Sequence, residues 1–278
     1  MIKNKFMMVL KYVLLAILAF ISVFPFFFMI LGMTNNASDI MAGRIMIGSD
    51  FGKNMANLFS SNLGFLTGIK NSFIVAGITT VLALVISSAA GYGFEVYRTK
   101  ARDRVFDILL LSMMVPFAAL MIPLFKMFSS MNKMGLSFMG IDSFFSVIVL
   151  SVCTAFLIFF FRQNVKSFPK DMVEAARVDG VGEFGIFWKI FMPSIKNTYA
   201  AAAIITFMGS WNAFLWPLIT LQTPAKKTVP LILSAMADGY TPDYGMVMCG
   251  IVIATIPTAL IFFIMQKQFV EGMIGAVK

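Results

Sequence analysis

The sequence predicts an all-α membrane protein of six transmembrane helices, with one long polar loop between the fourth and the fifth, and three observations carry that fold class. The chain of 278 residues is 59% hydrophobic and 13% charged, with a mean hydropathy of +0.88, which is more apolar surface than one soluble core can hide. Six apolar runs reach the roughly 20 residues that cross a hydrocarbon core. They are Tyr12 to Met33, Ser72 to Phe94, Phe106 to Phe128, Ser143 to Phe161, Thr198 to Leu221 and Tyr244 to Met265. If the N-terminus is inside, only Arg44, Lys53, Lys70, Lys126, Lys133, Lys226 and Lys227 lie outside, leaving 15 of the 22 basic residues within. The positive-inside rule then places both termini and the 168–197 loop in the cytoplasm. The whole chain, 1–278, reads as a single transmembrane domain.

Several chemistries are excluded. There is no histidine, so imidazole triads, HExxH zinc sites and imidazole proton relays are absent. No GxxxxGK[ST] loop occurs, so the chain is not itself a P-loop ATPase. Cys153 and Cys249 both fall in apolar runs and read as small buried hydrophobes, not as a disulfide or metal pair. No catalytic residue and no metal ligand is expected. The net charge of +9 is spread over loops between spans, which topology explains without a nucleic-acid partner.

Taken in order, Lys3 and Lys5 precede the first run, which is too long for a signal peptide and reads as an uncleaved anchor. Asn54 to Phe59 reads as a short surface helix. In the second span Ala83, Ser87, Ala90, Gly91 and Phe94 share a side, where small residues let helix backbones approach closely. Pro116 and Pro123 interrupt the third span, marking either a packed kink or carbonyls freed toward a wet pathway. The fourth ends at Arg162-Gln163.

The loop from Phe168 to Asn197 carries the strongest functional signal. Pro169 suits a helix start, and Asp171 follows in the first turn, where the macrodipole favours it. Met172, Val173 and Ala176 share a face, and Gly180 ends that helix cheaply in the left-handed region. Phe184, Phe187, Trp188 and Phe191 give a second helix an apolar stripe, closed by Pro193. Two short helices, each apolar on one side and outside the bilayer, suggest docking to a soluble partner. An amphipathic hairpin lying on the headgroups is the alternative.

In the fifth span Ser210, Trp211 and Asn212 are candidate pathway residues, Asn212 either lining a cavity or bonding a neighbouring helix. A tryptophan face suits a sugar ring, while Trp216, close to the outer boundary, reads as an interfacial anchor. Gln222 to Asp243 forms a half-apolar outside loop. Gly250, Ala254 and Thr258 make a small-residue face in the last span, kinked by Pro257, and a polar tail follows from Lys267.

Glu174-Ala175-Ala176, three residues, Gly180, nine residues, Ile190, one residue, then Met192-Pro193 resembles the EAA motif of ATP-binding-cassette (ABC) import permeases. The family usually has Leu where Met192 stands, a volume-conserving departure. The stretches Ala89 to Phe94 and Gly209 to Leu218 resemble the sugar-importing branch, and Gly272, Gly275, Ala276 and Lys278 match the tail of maltose-type subunits. The resemblance implies a permease subunit of a carbohydrate importer in a bacterial-type inner membrane. Glu174, Ala175, Ala176, Asp179, Gly180, Phe184, Ile190 and Pro193 would form its ATPase-coupling loop, and Gly272, Gly275 and Lys278 would reach the same ATPase. Implied partners are a second permease, two ATPase subunits that hold ATP and Mg, an extracytoplasmic sugar-binding protein, and lipid. This chain would hold no cofactor. The rival is a secondary transporter or channel without an ATPase. It would need ionisable residues at mid-membrane, yet the assigned spans hold only Asp107 and Lys126, both near span ends.

Overall fold

A computed structural model describes residues 2–238 and 241–275, with side chains described at 7–238 and 241–270. Helices dominate, and no strand occurs among the described residues. In chain order they are α1 (Ile2–Gly32), α2 (Ala37–Met41), α3 (Phe51–Ser60), α4 (Phe65–Val96) and α5 (Lys100–Leu111). Then come α6 (Phe117–Lys133), α7 (Phe144–Val152), α8 (Ala155–Val165), α9 (Lys170–Val178), α10 (Glu183–Ile186) and α11 (Met192–Ser194). The last are α12 (Lys196–Trp211), α13 (Leu215–Thr220), α14 (Val229–Ala237) and α15 (Tyr244–Gly275).

Among the described residues four stretches are long and apolar enough to span: Met7–Gly32, Phe65–Val96, Phe144–Val165 and Tyr244–Val270. They coincide with the first, second, fourth and sixth expected segments. The third is two helices, Lys100–Met114 and Phe117–Lys133, bent by 99°, and makes a fifth span only if the pair is counted as one. Pro116 is the cause. The residue before a proline is driven out of the helical region, and Val115 sits at φ −79°, ψ 117°. Pro123, by contrast, is carried inside α6. The fifth expected segment is also interrupted: α12 stops at Trp211 and α13 starts at Leu215. Pro217 explains the break, because its ring would collide with the carbonyl of Ala213 in a continuous helix. Length and composition therefore support four spans, or five with the bent pair, and not the uninterrupted set of six.

The chain divides into two compact units, Met1–Leu66 with Ile232–Pro257, and Thr67–Leu231 with Thr258–Lys278. In the first unit α3 takes the place expected of a surface helix, but Asn54 and Leu58 are buried. The Asn54 amide donates to the carbonyls of Met33 and Asn35 at 3.0 and 2.9 Å. A Cβ on Gly245 would sit 2.4 Å from Asn54 Nδ2, so that glycine lets the start of α15 press against α3. The apolar side chains of α1 are exposed along most of its length.

Among its described residues the second unit contains three cores. One gathers Val75, Phe128, Val147, Trp216, Leu221 and Leu231. Trp216, read from the sequence as an interfacial anchor, is instead a core residue whose indole donates to the Ser146 carbonyl at 2.9 Å. That bond lets the ring be buried without an orphaned N–H. Another core packs Ala83 with Leu157, Phe160, Phe161, Ala201 and Ala202. Ser87 is fully buried nearby, and a Cβ on Gly91 would come within 2.8 Å of the Arg162 nitrogen. The small-residue side of α4 is thus a close helix crossing, as its composition suggested. The third core lies under the 168–197 loop.

Candidate functional site

The loop begins at buried Phe168, and Pro169 precedes α9 in an extended conformation. α9 ends in a Schellman motif. Gly180 takes φ +76°, its N–H donates to Arg177 O at 3.0 Å, and the Val181 N–H donates to Ala176 O at 2.9 Å. The second helix runs from Glu183 to Ser194, with a π-type turn over Phe187–Phe191. Pro193 was expected to close this helix, yet one more helical residue follows it. The wider turn lies just before the proline ring, where a regular helix would set the Lys189 carbonyl against it.

The expected aromatic stripe divides into two faces. Phe187 and Phe191 turn inward with Ile186, against Tyr92, Phe168, Val173 and Ala176. The Tyr92 and Phe191 rings are 4.7 Å apart, and Phe168 meets Phe191 edge-on at 5.5 Å. Phe184 is 78% exposed, and Val178, Trp188 and Met172 are also exposed. Around them Glu174, Ala175, Asp179 and Gly180 face outward, while Ile190 is half-buried and Pro193 exposed. The Phe184 and Trp188 rings lie 5.8 Å apart. Most of the sequence-selected loop residues are therefore exposed, with an aromatic pair, Phe184 and Trp188, among the exposed side chains of the loop.

A polar clasp holds the loop to the end of α4. Glu183 accepts from Arg177 Nε at 2.6 Å and from the Tyr97 hydroxyl, and the Arg177 guanidinium lies 5.8 Å from the Tyr97 ring centre. The Arg177 bond, with that from Tyr97, holds the Glu183 carboxyl below the usual carboxylate range. Partial burial, then the bond to Glu183, pushes the Tyr97 phenol up.

Ser210, Trp211 and Asn212 separate. Ser210 joins Ser151, Thr154, Leu157, Thr206 and Gly209 around a cavity of about 200 Å³. It opens beside the α7–α8 break, where Cys153 leaves helical geometry and Thr154 recaps the chain by accepting from the Leu157 N–H. Trp211 is 2% exposed, stacked on Phe207 at 5.6 Å and edge-on to Phe73 at 4.8 Å. Its faces are used in packing. Asn212 is exposed, and its amide donates to Met208 O one turn back in the chain at 3.0 Å. Gly272 and Gly275 lie in the final turns of α15, which continues helically past the expected boundary at Met265. Lys278 lies outside the described residues.

Sequence reading missed two charged clusters. Asp142, at φ 59°, accepts from the backbone N–H groups of Gln222 and Thr223 at 3.0 Å, from the Thr223 hydroxyl and from Lys226 at 3.3 Å. Burial alone would raise its pKa, but the bonds from Thr223 and Lys226 bring it below the usual value. The only signal was an acid in the Gly140-Ile141-Asp142-Ser143 turn. The other cluster is Arg162 with Glu95 and Asp103. The expected spans stopped at Phe94 and Phe161, whereas the helices continue to Val96 and Val165 and draw Glu95 and Arg162 into the packed interior.

Residues 83–275 match the family described as binding-protein-dependent transport system inner membrane component. The chain is 45% identical to the lactose transport system permease protein LacG of Rhizobium radiobacter, covering 97% of this chain and 96% of that one. It is 36% identical to the arabinooligosaccharides transport system permease protein AraQ of Bacillus subtilis, over 94% and 92% of the two chains. In fold it is similar to a chain of a bacterial ABC transporter involved in the import of the acidic polysaccharide alginate. That match has a TM-score of 0.81 at 22% identity, covering 96% of this chain and 98% of that one.

Proposed function

The chain belongs to the family of binding-protein-dependent transport system inner membrane components, and from that premise we propose that it passes a sugar or oligosaccharide across the membrane as one permease subunit of an ABC importer. It is a multi-pass membrane protein and not itself an enzyme. ATP and Mg belong to two partner ATPases, and a second permease completes the pathway. The 45% identity to a lactose permease over 97% of the chain carries the substrate class.

Both termini and the 168–197 loop are cytoplasmic in this reading, as the distribution of basic residues favours. The exposed surface of Phe184, Trp188 and Val178 docks in the ATPase, with Glu174 placed to meet a basic partner residue and Gly180 setting the turn. The tail from Gly272 reaches toward the same subunit. A loaded binding protein docks outside, ATP closes the ATPases, and their movement drags the loop so that the pathway opens outward. Sugar enters, and hydrolysis resets the pathway. Ser210 lines the cavity beside α7 and α8 together with Ser151, Thr154 and Thr206, and these hydroxyls support a part for it in lining that route.

Purification of the tagged chain in mild detergent tests the assembly: an ATPase and a second permease should accompany it. Reconstituted with its binding protein, the complex should take up lactose or arabino-oligosaccharide only when ATP is present. Recovery of the chain alone in several detergents, or sugar uptake independent of ATP, refutes the importer reading.

A further inference from the structure

We propose that Glu95 is the positioning residue through which displacement of the loop reaches the membrane helices, with Lys170 its contact on the moving side and Arg162 its anchor on the fixed side. This inference rests on the importer reading above. Glu95 stands near the end of α4 with its side chain 5% exposed, and Arg162, near the end of α8, is 6% exposed. Arg162 Nε donates to Glu95 Oε2 at 3.3 Å, while its Nη2 donates to Asp103 in the first turn of α5. The guanidinium also lies 4.1 Å from the ring centre of buried Phe106. One cation therefore joins three helices beside Gly91, which lets α4 and α8 cross closely. A buried guanidinium with two carboxylates and a ring face has little freedom to move apart from them.

The remaining oxygen of Glu95 faces the loop. Lys170 Nζ, on the first residue of α9, is 3.8 Å from Glu95 Oε1, and the Lys170 side chain is 55% exposed. Its geometry differs from that of Arg162: longer, wetter and carried by a flexible stem. It also brings the loop's first helix to a buried charge of the bundle. Pulling α9 away from α4 would leave Glu95 facing Arg162 and Asp103 without that second cation. Arg162 is then the cation left on Glu95, while Asp103 keeps Arg98 at 3.0 Å as a second cation, so the guanidinium is drawn toward Glu95 and α8 shifts against α5. The start of the loop is in this way linked electrostatically to the ends of three membrane helices.

Lys170→Met, Lys170→Arg and Glu95→Gln in the reconstituted complex test this, with sugar moved per ATP hydrolysed as the readout. Lys170→Met keeps the stem, lies at the surface and should leave the yield of complex unchanged. Its sugar-per-ATP ratio should fall about tenfold, the scale of a typical coupling between sites. Lys170→Arg should restore the ratio, and Glu95→Gln should lose it as Lys170→Met does. A purely structural role would lower the amount of complex and leave the ratio alone. The proposal is overturned if Lys170→Met keeps the wild-type ratio, or if Lys170→Arg is as impaired as Lys170→Met. A wild-type complex that moves no sugar with ATP refutes the importer reading instead, a result seen before any variant is made.

Discussion

Gly180 offers a direct test of the loop, because its backbone and its surroundings make separate demands. It sits at φ +76°, yet a Cβ built there would meet nothing within 4 Å. Any cost of substitution is therefore conformational and not a clash. A non-glycine residue in the left-handed region costs about 1–2 kcal/mol, with alanine near the lower figure and a β-branched valine at or beyond the upper. Asparagine, which visits that region readily, should cost least. If the turn instead relaxes to negative φ, the bonds from Gly180 N–H to Arg177 O and from Val181 N–H to Ala176 O are lost, and α9 swings away from α10. One or two kcal/mol depopulates the docking geometry about 5- to 30-fold. ATP-driven uptake should thus fall in the order Gly180→Asn, Gly180→Ala, Gly180→Val, with near-wild-type amounts of chain in the membrane by immunoblot. Wild-type uptake for Gly180→Val, or a worse result for Gly180→Asn than for Gly180→Val, would show that the turn does not govern coupling.

Glu174 makes no bond or ion pair among the described residues, so Glu174→Ala should change chain stability by no more than about 0.5 kcal/mol while reducing ATPase recovery in pull-downs and abolishing sugar uptake. Asp142→Ala removes the acceptor for the Gln222 and Thr223 N–H groups and should cost about 1 kcal/mol, visible as faster hydrogen exchange at 222–226. Because the Asp142 pKa is depressed in the folded chain, its contribution is present above the ordinary carboxylate range and fades as the pH falls through the depressed value. Exchange in that segment should accelerate in acid for the wild type and much less for the variant. Trp211→Ala should cost about 3–5 kcal/mol and lower the yield of chain, whereas Ser210→Ala should leave yield unchanged and alter the sugar concentration that half-saturates uptake.

How much of this was legible in the sequence depended on whether a feature is local. Apolar run length marks a helix wherever it packs, so four of the expected segments appear as spans, one of them with a short break at Cys153-Thr154. Gly180 was legible for the same reason: a left-handed turn after an amphipathic helix is a requirement of its own backbone. The breaks at Pro116 and before Pro217 were less so, because a proline can be carried inside a helix, as Pro25, Pro123 and Pro257 are. Which outcome prevails depends on what receives the freed carbonyls. Faces were less legible still. The spacing of Phe184, Phe187, Trp188 and Phe191 is compatible with one stripe, and a core that includes Tyr92, far away in sequence, draws Phe187 and Phe191 inward. Trp211 and Trp216 look alike as tryptophans near a membrane edge, yet both are buried, one against Phe73 and the other against Phe128 and the Ser146 carbonyl. Asp142 and Glu95 take their partners from 80 and 67 residues away, and no local pattern encodes such pairs.

The two faces of the loop answer different physical needs. A segment that transmits displacement must be stiffer toward the bundle than its two covalent connections alone would make it, or a pull at its outer surface would be spent in bending. Phe187 and Phe191 supply that stiffness by interlocking with Tyr92, since a packed aromatic core yields little to strain. Tyr97, Glu183 and Arg177 fix orientation, which dispersion contacts do not, because charge-assisted bonds are directional. Both attachments converge on the end of α4, at Tyr92 in the helix and Tyr97 just past it, and Glu95 lies between them in sequence. The outer face has the opposite character: Phe184 and Val178 are exposed, and in the proposed importer their burial against the ATPase would supply the attraction by which that subunit grips the loop. α4 is then the helix on which a pull at Phe184 should act first. Its bond to α8 through Arg162 is the step that carries the movement beyond a single helix.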